Sequence, residues 1–132
     1  ASEAYGTEIW IMPETASYNF LSTDIPEVLL TAAVASSNAA MNRALDRSEA
    51  LLSHAVELEL ALTLAGITRN RGIKHAAFYV LEHTYMPAIL VETGFMSNED
   101  ELRMLVDPLH QQTIAAGIVR GISYYADMVA AD

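Results

Sequence analysis

The chain has 132 residues, about one domain, with 52% hydrophobic and 18% charged residues, which excludes a disordered polypeptide. Its formal net charge of −10, with only seven Lys and Arg, argues against a nucleic-acid partner, because phosphate binding needs clustered cations. Cysteine is absent, which removes disulfides, thiolate metal sites and a cysteine nucleophile, and no apolar run reaches the ~18 residues that span a bilayer.

The opening ASEAYGTEIW has no basic stretch leading into an apolar one, so no signal peptide is expected in it. Gly6 to Met12 alternates in part and ends at Pro13, which predicts a strand. Glu14 to Asp24 is rich in Thr, Ser, Asn and Asp and reads as a loop, followed by a helix start with Thr23 or Asp24 as cap, Pro26 in the first turn and Glu27 at its positive end. Ser36-Ser37-Asn38 reads as an interruption that caps a second, longer helix. In it, Met41, Leu45, Leu52, Val56, Leu60 and Leu64 recur in steps of four or seven, up to a stop at Gly66.

Arg69 to Lys74 reads as a basic turn, Ala76 to Leu81 as a strand, Glu82 to Pro87 as a loop, and Ala88 to Glu92 as the next strand. Asn98 followed by Glu101 is a capping-box variant opening a short helix to about Val106. Pro108 breaks it, and a last helix is expected from about Leu109 to Val129. The pattern is that of one α/β unit without internal repeats.

Glu92 is the residue that chemistry singles out. A carboxylate at the end of a short apolar strand is costly to desolvate unless a cation, a hydrogen bond or a reaction uses it. Open α/β sheets place their sites just past the carboxyl ends of strands. The residue type leaves two readings open: a catalytic base, or a structural carboxylate that caps nearby backbone amides or pairs with Arg71 or Lys74. Arg71 itself either pairs with a carboxylate or meets substrate. His54, His75, His83 and His110 have no tight ligand spacing, and although His54 and Glu57 share a helix face, no third ligand is close in sequence. Surface or capping roles are expected for all four, and no metal site is assigned among them.

Arg71-Gly72-Ile73-Lys74, Phe78-Tyr79-Val80-Leu81, Met86-Pro87-Ala88-Ile89-Leu90-Val91-Glu92 and Gly94-Phe95-Met96-Ser97-Asn98 together resemble the C-terminal half of the zinc-dependent N-acetylmuramoyl-L-alanine amidases. Glu101, Leu105, Ile114, Ala115, Ile118, Gly121, Ile122 and Tyr125 continue the pattern. The likeness runs from about Ser53 to Tyr125 and is weaker at Gly6-Thr7-Glu8, which is similar to the strand after the family's second histidine ligand.

This resemblance implies a twisted, mostly parallel sheet flanked by helices. It implies a single zinc held by His, Glu and His, with Glu92 as general base for the zinc-bound water. The substrate implied is peptidoglycan, cut at the amide between N-acetylmuramic acid and the L-alanine of the stem peptide, in a periplasmic or extracellular location. The family's three zinc ligands lie upstream of the residues that match Gly6-Thr7-Glu8. Residues 1–132 are therefore expected to be the C-terminal portion of a single catalytic domain, with catalysis depending on ligands outside them. The alternative is a non-catalytic fragment or wall-interaction module. Some cell-division amidases carry an inserted helix that covers the zinc and is displaced by an activator protein. The segment at about 14–42, with Ile25 to Leu30 and Glu27, has the position and length of such a lid; a helix packed on the sheet is the other reading.

Overall fold

β1 (Thr7–Ile11) is the middle strand of a sheet ordered β2-β1-β3 in the computed structural model, which describes residues 4–13, 32–84 and 86–131. β2 (Asn70–His75) runs parallel to β1 and β3 (Leu90–Glu92) antiparallel. The expected α/β class holds, with a mixed sheet among the described residues. Alternation along β1 sends Ile9 and Ile11 to one face and Glu8 and Trp10 to the other, because successive strand side chains point opposite ways.

The apolar face is covered by α1 (Ala32–Thr63), and α4 (Pro108–Ala130) packs against α1 and brings Ile114 to the core. Leu52, Val56 and Leu60 fall four apart on α1 and, with Leu64 just past its end, join Ile9, Ile11 and Ile114 in the core, with Ile73, Val91, Ile118 and Tyr125 packed around it. Full burial of a Leu, Ile or Val side chain contributes roughly 1.5–3 kcal/mol, so this stripe is the main cohesive element. On α4 the buried positions are His110, Ile114, Gly117 and Gly121. A Cβ on Gly121 would lie 2.5 Å from the Val56 Cα, so the two helix backbones meet there and only glycine fits.

Several expectations are corrected. α1 runs unbroken through Ser36-Ser37-Asn38, because Ser and Asn cost only roughly 0.5 kcal/mol each in a helix interior and alanines flank them. The basic segment expected as a turn is β2, paired with β1 through Ile9↔Ile73, Trp10↔Lys74 and Ile11↔His75. As the outer strand of this sheet it tolerates the charges that suggested a turn. The apolar run expected as a strand over Ala76 to Leu81 instead enters a one-turn helix, α2 (Tyr79–Glu82), in which only Leu81 is buried while Tyr79 and Val80 stay exposed. The helix start near Asp24, the loop from Glu14 and most of the 14–42 segment lie outside the described residues.

α3 (Glu99–Leu105) is capped as expected, with Asn98 Oδ1 accepting from the Glu101 amide at 3.1 Å. α4 begins at Pro108, where Asp107 Oδ1 accepts from Leu109 N at 3.1 Å. Glu101 does not close a reciprocal box. Its carboxylate accepts from the Phe95 amide at 2.7 Å, from Thr68 Oγ1 at 3.2 Å and from the Gly6 amide, tying α3 to the entrance of β1. Gly6 has φ 112° and a Cβ there would strike the Arg69 carbonyl, so this entrance requires glycine. Among the described residues, no helix is long and apolar enough to cross a membrane.

Candidate active site

Glu92 ends β3 directly opposite Glu8 of β1. Directly opposed residues of an antiparallel pair project from the same face with Cβ atoms roughly 4.5–5.5 Å apart, and two like charges there repel. The pair is tolerated because Glu8 is neutralised from its other side. Its Oε2 accepts from Lys74 Nζ at 2.7 Å and from Arg71 Nε at 2.8 Å, and its Oε1 accepts from Trp10 Nε1 at 3.0 Å. Burial alone would raise the Glu8 pKa; Lys74, Arg71 and Trp10 outweigh it and hold the carboxyl below its ordinary value.

Aromatic rings fix the two cations. Lys74 Nζ lies 5.5 Å from the centre of the Trp10 ring, and the Arg71 guanidinium lies 5.0 Å from that of Phe95. Phe78 meets Trp10 edge to face at 5.2 Å. Glu92, half-buried, makes no hydrogen bond or ion pair with its carboxylate among the described residues. The polar face thus holds one carboxylate locked by cations beside one without a hydrogen bond or ion pair among the described residues.

The structural reading of Glu92 expected backbone amides, Arg71 or Lys74 as its partners; both cations go to Glu8, and among the described residues no amide donates to the Glu92 carboxylate. Glu8 was not singled out from sequence, although a signal existed: GTEIWIM puts Glu8 and Trp10 on one face, and an acid inside a strand demands a cation. Arg71 makes the carboxylate pair that was one of its two readings.

His54, His75 and His83 are exposed, as expected, and His83 stacks on Tyr79 with centroids 4.0 Å apart. His110 is buried, contrary to expectation, because it lies one turn before Ile114 on the inner stripe of α4. No three His, Asp or Glu side chains among the described residues converge to hold a metal ion. The zinc set implied by resemblance does not fit these residues, and no step is derived through it.

Two cavities adjoin the sheet without reaching Glu92. One of about 510 Å³ is bordered by Tyr5, Thr68, Arg69, Glu101 and Met104, next to the carboxylate that ties α3 to β1. The other, about 330 Å³, is bordered by Met12, Asp46, Glu49, Ser53, His54 and His75. There Glu49 is 2% exposed, and its Oε1 has no hydrogen-bond partner. Desolvation pushes its pKa up to about 7; the Ala88 amide opposes the shift and Asp46 adds to it.

The chain is similar to known proteins. N-acetylmuramoyl-L-alanine amidase LytC of Bacillus subtilis is 39% identical over 75 residues, 56% of this chain and 15% of that protein. The probable cell wall amidase LytH of Staphylococcus aureus is 35% identical over 68 residues, 52% of this chain and 23% of that protein. Among solved structures, the N-acetylmuramoyl-L-alanine amidase from Clostridium difficile 630 superposes with a TM-score of 0.64 at 26% identity, covering 96% of this chain and 51% of that one. The CwlD amidase from Clostridioides difficile, solved in complex with the GerS lipoprotein, shares the fold with a TM-score of 0.65 at 24% identity, covering 97% of this chain and 49% of that one. The chain spans about half the length of these solved amidases and less of the curated relatives. With the family model matching residues 1–124, the chain belongs to the N-acetylmuramoyl-L-alanine amidases.

Proposed function

We propose that the protein containing this chain hydrolyses the amide between N-acetylmuramic acid and L-alanine in peptidoglycan, with Glu92 as general base. The observation that carries this reading is the free Glu92 carboxylate beside a Glu8 carboxylate already committed to two cations. Glu92 takes a proton from the attacking water as its oxygen adds to the lactyl carbonyl. The same carboxyl then returns the proton to the departing amine of L-alanine as the C–N bond breaks. Such proton transfer contributes typically 10²–10⁴-fold to rate. Glu8, Arg71 and Lys74 fix the charge around the base, so little reorganisation is needed at the moment of transfer.

Zinc dependence belongs to this reading by family resemblance; its ligands are not among the described residues. Residues 1–132 are proposed as the C-terminal portion of one catalytic domain. Action in the cell envelope, periplasmic or extracellular, follows from the substrate. An activator acting on the segment at about 14–42 is proposed on resemblance alone.

The test is digestion of purified peptidoglycan by the intact protein, followed by mass spectrometry. Glycan ending in free lactyl carboxylates, together with peptides starting in unblocked L-alanine, is expected. Cleavage of a different bond, or wall binding without cleavage, overturns the proposal, and the second outcome favours the interaction-module alternative.

A further inference from the structure

We infer that Arg71 and Lys74, positioned by Glu8, form a subsite that reads a carboxylate of the stem peptide on the leaving side of the scissile amide. The inference rests on the amidase reading above and names a specificity element of that same site.

Charge supplies the first argument. Two cations converge on one buried carboxylate, and among the described residues neither makes a second ion pair, although Glu92 opposite Glu8 is bound by neither of them. In a chain of net charge −10, two cations side by side are a distinctive recognition feature. Each cation also keeps donors to spare. A guanidinium carries five N–H groups in a fork suited to carboxylates, and an ammonium carries three; Arg71 gives Nε–H to Glu8, and Lys74 gives one of its protons.

Access and rigidity supply the second. The Arg71 side chain is 24% exposed and that of Lys74 33%, whereas Glu8 is at 7%, so an incoming anion meets the cations and not their counter-ion. The Phe95 and Trp10 rings hold both heads in place before a ligand arrives.

Spacing supplies the third. The cation heads meet at the Glu8 carboxylate, and Glu8 is the direct cross-strand neighbour of Glu92. The cations belong to β2, on the far side of β1 from Glu92, and their heads are drawn in to the Glu8 carboxylate, so they stand between one and two strand spacings, roughly 5–10 Å, from the base. In a muramoyl peptide, the first carboxylate past the scissile nitrogen belongs to the second residue. From that nitrogen, a Cα–Cα step of 3.8 Å plus the flanking bonds places it roughly 6 Å away. A peptide that presents its first amide to Glu92 thus carries its next carboxylate to Arg71 and Lys74.

The experiment uses the intact protein and two muramoyl dipeptides, identical except that the second residue's α-carboxyl is free in one and a primary amide in the other. Wild type is expected to favour the free acid about tenfold in kcat/KM, mostly through KM, and to lose the preference at high salt. In Lys74→Met and Arg71→Gln that ratio should fall to within twofold of one, and Lys74→Arg should restore it. Equal use of both compounds by wild type, or a preference that survives in Lys74→Met, overturns the subsite while leaving the amidase reading intact. Should neither compound be cleaved, the amidase reading fails, and direct titration of wild type with each still decides the subsite: tighter binding of the free acid supports it and equal binding overturns it. If both neutralising variants fail a melting check, the wild-type ratio and its salt dependence decide alone.

Discussion

On the polar face of the sheet, Glu8 is buried against Lys74, Arg71 and Trp10, and its carboxyl is held below its ordinary value against the pull of burial. On the helix-covered side, Glu49 of α1 is equally buried, has an oxygen without a hydrogen-bond partner, and is pushed up to about 7. The same side chain thus meets opposite surroundings within one small sheet. Where cations are supplied, a carboxylate can be kept charged and a second one set beside it. Where burial outweighs the one amide at hand and Asp46 adds its charge, the acid is driven toward neutrality. The polar face organises charge around Glu92, and the other face holds the fold.

Removing packing from the helix-covered face should give the largest change in stability. Leu60→Ala is expected to cost about 2–5 kcal/mol in denaturant unfolding, since Leu60 is buried between the sheet and α4. Glu101→Ala comes next. It leaves the Gly6 and Phe95 amides without their acceptor, and a loss of about 3 kcal/mol is expected in the same measurement.

The two carboxylates should then separate by pH. The folded pKa of Glu49 is raised above the unfolded value of 4.5, so its favourable contribution is complete below about pH 4.5 and is lost as pH rises through about 7. Glu49→Gln should flatten that decline, which at most amounts to about 1.4 kcal/mol per pH unit. A decline unchanged in the variant would break the comparison. For Glu8 the sign reverses: its folded pKa is depressed, so its contribution is present above the unfolded value and lost as pH falls through the lower folded one. Lys74→Met removes the nearer cation and should shrink this acid limb, the smallest effect of the set, visible as a weaker pH dependence of melting below pH 4.5.

Much of this was legible in the chain itself, and the exceptions have physical causes. The stripe from Leu52 to Leu64, the stop near Gly66, the Asn98 cap and the Pro108 break are local signals, and each appears within a residue or two of its expected place. β2 was missed because its pairing with β1 is non-local and its composition, with Arg71, Gly72 and Lys74, mimics a turn. The apolar run after it misled because hydrophobicity alone does not say which residues find a partner surface; only Leu81 does. In the site, the place of Glu92 at a strand end was readable, and its catalytic role is the proposal made above. The role of Glu8 emerges only once register places it opposite Glu92 and within reach of two cations from a strand more than 60 residues away.

The central claim is that Glu92 is the proton carrier of amide hydrolysis and not a member of the structural ion-pair network. Its most direct test is Glu92→Gln in the intact protein, with muropeptide cleavage and thermal unfolding measured side by side. The account predicts a fall in kcat of at least about 10²-fold with stability changed by no more than about 0.5 kcal/mol. Retained cleavage, or activity lost only in proportion to a collapse of the fold, would contradict it.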